Sequence, residues 1–288
     1  MRSYGANDSR LSLLFLDHGL GKRPAKGVVT LALCVTLAGC AIFQGIQVSL
    51  LSTEQEIELG QQVSAEVEKQ ENLLDNTEIQ AYVREIGQRL ASVSPRQDVK
   101  YTFKVIDAPD KVNAFALPGG FMYVYTGLMR VLENEAELAG VMAHEIAHVA
   151  GRHHGESMTR QFGYSLIMSI VLGEDPNALA KLGTELLGAA GAMYYSRDNE
   201  READQLGMKF LFETGYKPEA MLSVMQKLAD EDRRRGGTRS LPIFASHPPT
   251  EERSQRLQEL IEQYPKEVRD RQPVYAERYR QKVLDVLE

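Results

Sequence analysis

Apolar positions along the chain follow two regimes. Ile79, Tyr82, Val83, Ile86 and Leu90 recur at the three-to-four spacing of an amphipathic helix over 77–90. An earlier stretch running to about residue 74 has the same character. It is headed by Thr53-Glu54-Gln55-Glu56, whose Thr-x-x-Glu form predicts a capping box. Tyr101, Phe103 and Val105 then alternate with polar neighbours, which predicts a strand over 100–107. Two further short strands, 112–116 and 121–125, are joined by the turn residues Leu117-Pro118-Gly119-Gly120. From about residue 133 the period becomes helical and stays so. Helices are expected at 133–151, 156–173, 176–195, 196–214, 218–234 and 250–263, with another near the C-terminus. Pro218 suits a first helical turn. The apolar stretch 164–172 is about half the length a bilayer span needs, so it is read as a core helix. Together the pattern predicts an α+β, mainly helical protein with a small antiparallel sheet.

Composition narrows the possible partners. A chain of 288 residues buries a substantial core without disulfides, and its formal charge of -7 argues against nucleic acid, since no basic excess replaces phosphate counterions. Gly236-Gly237, after Arg233-Arg234-Arg235, reads as a loop beside a solvated charge run. Both cysteines, Cys34 and Cys40, lie near the N-terminus, so the folded part has neither a disulfide framework nor a cysteine metal site. Lys22, Arg23 and Lys26 precede a short apolar run over 28–37, the pattern of a secretory signal. The run ends in Leu37-Ala38-Gly39-Cys40, which resembles a bacterial lipobox. That resemblance implies cleavage before Cys40 and lipidation of Cys40, giving a signal peptide over 1–39, a lipidated tether over 40–51 and a folded domain over 52–288. Removing 1–39 shifts the formal charge to about -10. Alanine after Cys40 favours the outer membrane by the usual lipoprotein sorting rule.

The candidate chemistry lies in the helix at 133–151, which carries His144-Glu145-Ile146-Ala147-His148. Residues four apart project from one helix face, so both imidazoles reach one ion. Zinc suits two neutral imidazoles and a carboxylate with one open position. Glu145, beside them, is placed to take a proton from water. Spacing leaves two candidates for the third ligand. His154 completes His144-Glu145-x-x-His148-x-x-Gly151-x-x-His154, the metzincin pattern, with Gly151 turning the chain and Met193 and Tyr195 as a Met-turn. Alternatively, Glu200 and Asp204 share a face of the helix at 196–214 and supply one carboxylate for the ion and one for the outer N–H of a ligand histidine.

The wider motif order separates these alternatives. Asn113-Ala114-Phe115-Ala116-Leu117-Pro118-Gly119-Gly120 is followed by His144 to His148. Ser196-Arg197-x-x-Glu200-x-x-Ala203-Asp204 comes next, then Ser246-His247-Pro248-Pro249-x-x-x-Arg253. This series, over roughly residues 50–265, resembles the zinc metalloprotease family of CAAX-prenyl endopeptidase and HtpX type, in particular its periplasmic BepA and LoiP branch. The resemblance implies a gluzincin-like, zincin-type domain holding one zinc ion on His144, His148 and Glu200, not on His154. It implies Glu145 as the catalytic base. His247 is expected near the ion, steadying an oxyanion or filling the open position, with Asp204 and Arg253 supporting the ligands. It also implies 121–125 as the active-site edge strand, with Asn113, Ala114, Phe121 and Tyr123 contacting an extended peptide. His153 and His154 are expected just outside the ligands or at the surface, and Tyr194 and Tyr195 in packing roles. The implied activity is a metalloendopeptidase of the bacterial envelope, anchored by lipid at the periplasmic face of the outer membrane. Its implied substrates are misfolded or misassembled envelope polypeptides, with outer-membrane β-barrel components foremost. Without the spans of HtpX or the helical-repeat domain of BepA, a compact lipoprotein is expected.

Overall fold

The computed structural model describes residues 49–187, 193–235 and 241–288, and within it helix α1 (Thr53–Gln70) is capped by Ser52, one residue before the expected cap Thr53. Ser52 accepts the Gln55 N–H, while the Gln55 side chain accepts the Ser52 N–H. The expected partner, Glu56, is committed elsewhere. It is buried and paired with Arg96 at 3.1 Å and Arg152 at 3.0 Å, so it cannot reach back to cap. The signal segment and Cys40 lie outside the described residues. Of the expected tether only 49–51 is described, and Leu51 is already part of an apolar cluster at 2% exposure.

Helix α2 (Thr77–Ala91) is capped by Asn76 and buries Ile79, Tyr82, Val83, Ile86 and Leu90, the stripe its period predicts. Strands β1 (Thr102–Ile106), β2 (Ala114–Leu117) and β3 (Phe121–Tyr125) form one sheet in the order β1-β3-β2. The expected antiparallel sheet is mixed: β3 runs antiparallel to β2 but parallel to β1. Alternation identifies a strand but carries no information on its direction or neighbour. The 121–125 strand, expected at the edge, is therefore the central one, and β2 is an edge.

The β2–β3 turn (Pro118–Gly120) needs its glycines. Gly119 and Gly120 have φ of 73° and 92°, a region where a side chain clashes with the backbone. The turn packs directly on α1 at Gly60, where an added Cβ would lie 1.9 Å from the Pro118 carbonyl oxygen. Gly60→Ala must separate two backbones. It is expected to destabilise the protein by about 3 kcal/mol, read as a lower denaturant midpoint; an unchanged midpoint would show that this contact gives way freely.

A short helix, α3 (Thr126–Val131), follows β3 without a break. Helix α4 (Glu135–Ala150), capped by Asn134, is buried along its length from Glu135 to Val149. The helix expected over 156–173 is two: α5 (His153–Phe162) and α6 (Tyr164–Val171), parted at Gly163 with φ of 84°. Helix α7 (Pro176–Leu187) precedes α8 (Arg197–Glu213), which Ser196 caps in a box with Asn199. Helices α9 (Glu219–Arg234), α10 (Pro242–Ser246), α11 (Glu251–Glu262) and α12 (Lys266–Arg269) come next. A last helical run from Ala276 contains a π turn at Arg280–Leu284. Pro218 sits one residue ahead of the helix it was expected to open, as the cap of α9.

The main core surrounds α4, which packs on α8, α9, α2 and β2. A second apolar cluster lies between α1, the α6–α7 pair and the Tyr123 and Tyr125 side of β3. Ile167 and Ile170 anchor α6 in that cluster, while Tyr164 and Leu172 are exposed. Among the described residues no helix is long and apolar enough to cross a membrane.

Candidate active site

The burial of α4 places His144, Glu145 and His148 at the centre of the molecule, each at most 8% exposed. Packing of α8 against α4 delivers Glu200 and Asp204 to the same point, and the chain leaving α10 brings in His247. The His144 Nε2 atom lies 3.1 Å from His148 Nε2 and 3.2 Å from His247 Nδ1. Glu200 Oε1 stands 2.9 Å from His247 Nδ1 and 3.2 Å from His148 Nε2. One donor atom from each of these four buried residues lies within 4.8 Å of all the others. Three imidazole nitrogens facing one another around a carboxylate oxygen is a donor set that fits a divalent metal ion. Without an ion, such convergence of buried polar atoms is costly.

Asp204 Oδ1 lies 3.1 Å from His144 Nδ1, on the side of the ring away from the cluster. Arg253, from the first turn of α11, clamps Asp204 with two hydrogen bonds of 2.9 and 2.7 Å, and its third nitrogen lies 2.8 Å from Glu200 Oε2. Arg253 thus ties Glu200 and Asp204 of α8 to the segment carrying His247. Burial opposes charge on His144, but its hydrogen bonds to Asp204 and Glu200 outweigh this and raise its pKa to about 9 in the metal-free site. Burial also pushes Glu200 up, yet the charge of His247 and the histidine hydrogen bonds hold it well below the usual carboxylate range. Glu145 is raised, chiefly by burial. Its Oε2 accepts the Ala116 N–H at 3.1 Å, and its Oε1 lies 3.3 Å from His247 Nε2.

The Ala116 bond places Glu145 at the outer edge of β2. Tyr125 donates to Asn113, so main-chain groups of Asn113, Phe115 and Leu117 face β3, whereas those of Ala114 and Ala116 face outward. Asn113 Oδ1 is buried without a hydrogen-bond partner. Phe121 and Tyr123, expected on an edge strand, are flanked by β1 and β2 on both sides. The Tyr123 hydroxyl donates to Glu68 on α1, and the Phe121 ring lies against Gly60. Their peptide groups are engaged, and their side chains are turned towards α1.

The structure keeps His154 apart from the convergent set. It is fully buried, neither ring nitrogen has a hydrogen-bond partner, and burial pushes it down to about 3. Gly151 does not make the expected turn: its φ is an ordinary -77°, and Arg152 takes the left-handed conformation at φ 59°. Tyr195 lays its ring on His148, centroids 4.0 Å apart, whereas Tyr194 is exposed. One feature escaped the sequence reading: a narrow apolar cleft beside His144, Glu145 and His247, walled by Met221, Val224, Met225, Leu228 and Phe244. On α9 these residues follow the helical period, and nothing in that period separates a cleft wall from a core stripe.

Comparison with known proteins is consistent with this arrangement. A putative beta-barrel assembly-enhancing protease of Vibrio cholerae serotype O1 is 32% identical over 229 residues, covering 75% of this chain and 46% of the relative. The beta-barrel assembly-enhancing protease of Escherichia coli (strain K12) is 33% identical over 214 residues, covering 71% and 43%. The mitochondrial metalloendopeptidase OMA1 of Saccharomyces cerevisiae is 29% identical over 166 residues, covering 57% and 48%. The chain spans less than half the length of these relatives. Residues 77–261 match Peptidase family M48. Since that span runs from the start of α2 through nearly all of α11 and takes in the whole convergent cluster, the chain belongs to Peptidase family M48 and has its zincin-like fold.

Proposed function

We propose that this protein is a zinc-dependent endopeptidase of the bacterial envelope, with zinc held by His144, His148 and Glu200 and with Glu145 as its base. The observation that carries the reading is the buried convergence of three imidazoles and one carboxylate, with a second carboxylate beside it bonded to a strand edge. Bound there, zinc supplies a Lewis acid that acidifies water and polarises a carbonyl. Glu145 accepts the water's proton and hands it to the departing amine. Asp204 accepts from His144 Nδ1, which leaves Nε2 free to ligate, and Arg253 holds Asp204 in register. His247 completes the donor set at rest; turned aside, it donates to the developing oxyanion. An extended substrate adds to the outer edge of β2 through the main chain of Ala114, with the Asn113 side chain near the added strand and little demand on sequence. The substrates are misfolded or misassembled envelope polypeptides, a reading supported by relatives named beta-barrel assembly-enhancing protease. Acylated Cys40 anchors the domain over 52–288 at the periplasmic face of the outer membrane.

The soluble form beginning after Cys40 tests this. It is expected to cleave casein, to lose that activity when a chelator strips its metal, and to regain it with one equivalent of Zn²⁺. Uptake should release a proton below pH 9, because His144 of the empty site is protonated there while a ligand nitrogen must be neutral. Zinc affinity therefore rises with pH towards 9 and levels off above it. A stripped protein that takes up no zinc, or casein cleavage indifferent to the chelator, overturns the proposal.

A further inference from the structure

His148 needs its Nε2 lone pair for a metal ion, and the residue that secures it stands on the opposite side of its ring. His148 Nδ1 lies 3.0 Å from Nδ1 of His153, which is itself 2% exposed. Of two ring nitrogens at that distance, one must carry the proton and the other the lone pair. His148 Nε2 faces the cluster, 3.1 Å from His144 Nε2 and 3.2 Å from Glu200 Oε1. With that lone pair committed to a metal, the His148 proton is on Nδ1 and His153 Nδ1 is the acceptor. The His153 proton is then on Nε2, which lies 3.4 Å from Glu202 Oε2. The protons run in one consistent direction, from His148 to His153 to Glu202.

The seat of His153 is built for it. A Cβ on Gly151 would lie 2.3 Å from His153 Nε2 and 2.6 Å from its Cε1, so the glycine provides space for the ring. Its backbone conformation is ordinary and needs no glycine. Arg152, in the left-handed region between them, is held by Glu56 at 3.0 Å and donates to the Leu51 carbonyl. Glu202 comes from α8, two residues after Glu200, so one helix supplies a carboxylate to the donor cluster and another to its support.

We propose that His153 is a positioning residue for the metal centre, accepting the Nδ1–H of His148 and, through Glu202, fixing the tautomer that aims His148 Nε2 at the ion. This rests on the metal-centre reading above. It makes the two helix-borne ligands differ: His144 is oriented by an arginine-clamped carboxylate, and His148 by a neutral imidazole.

The test uses His153→Asn, whose Oδ1 stands near the replaced Nδ1, and His153→Leu, which has similar bulk and no acceptor. Gly151→Ala and Glu202→Ala complete the set in the full chain. Zinc affinity is measured by chelator competition, and the cobalt-substituted proteins by visible absorption. His153→Leu and Gly151→Ala are expected to weaken zinc binding by about 10–100-fold and to alter the cobalt spectrum. His153→Asn should restore both, and Glu202→Ala, whose side chain is 57% exposed, should cost about threefold. Leucine binding zinc as tightly as wild type with the same cobalt spectrum would overturn the inference. So would asparagine as weak as leucine, which reduces His153 to packing. If neither His153 variant folds, Glu202→Ala decides, and unchanged affinity and spectrum count against the relay. A wild type that binds neither ion overturns the metal-centre reading itself, an outcome separate from all of these.

Discussion

Glu145→Gln is expected to keep its metal and lose peptide hydrolysis by about 10³-fold or more, towards the upper end of what a positioned acid–base group contributes. Glu145 is not one of the four convergent donors, so its replacement leaves the ligand set intact. Glutamine has the same shape, and its amide oxygen can still accept the Ala116 N–H that Glu145 accepts at 3.1 Å. The fold therefore has no reason to change. What disappears is the ability to take a proton. Burial raises the Glu145 carboxyl above its ordinary value, which makes the carboxylate a stronger base than an exposed one. Casein kcat/KM and zinc content measured on the same preparation separate the two effects. A glutamine variant that cleaves at the wild-type rate removes Glu145 from the mechanism. One that fails to cleave yet reproduces the cellular effect of wild type would point to a chaperone-like protein with a vestigial site.

The second large effect is expected at the proposed third ligand, Glu200. Glu200→Ala should weaken zinc binding by about 10²–10³-fold, roughly one ligand's share of the 10–16 kcal/mol typical of a four-ligand zinc site. Glu200 is also the negative charge on which His148, His247 and Arg253 converge, at 3.2, 2.9 and 2.8 Å. Its removal leaves a buried cluster of histidines against an arginine, which repels a cation. His154→Ala is expected to leave zinc binding unchanged, because His154 lies outside the donor set. The reverse pair of results would hand the site to His154 and the metzincin pattern. Normal binding in both variants would displace the ligand assignment altogether.

These residues show what a single sequence can and cannot reveal. Helix α2 is legible because it buries one face long enough for the 3.6 period to repeat, and α4, buried all round, because its apolar run is too long for a strand. The three strands were legible too, but a strand's alternation is the same whether its neighbour runs parallel or antiparallel. The central position of β3 was therefore hidden, and Phe121 and Tyr123 were placed on an edge they do not form. Helices α3, α10 and α12 span six, five and four residues, too few to display a period. Gly163, which parts α5 from α6, looks like any glycine tolerated within a helix. The four-residue spacing of His144 and His148 is local and legible in the sequence. Choosing between His154 and Glu200 by spacing was not possible, because it depends on how α8 packs against α4, across about fifty residues of chain. The metzincin alternative makes Gly151 a turn former, whereas its φ is ordinary and an added Cβ would meet the His153 ring. That distinction becomes visible only when the ring of His153 is in place.

The fixing of Leu51 bears on how far this protein can work from its anchor. With its side chain buried and its carbonyl held by Arg152, Leu51 is fixed to the folded domain. The stretch from the proposed lipid on Cys40 to that point, even pulled straight, spans at most about 36–40 Å. The domain would then be leashed within one protein diameter or so of the bilayer. A chain stalled at the membrane surface would remain within its reach for as long as it stayed there.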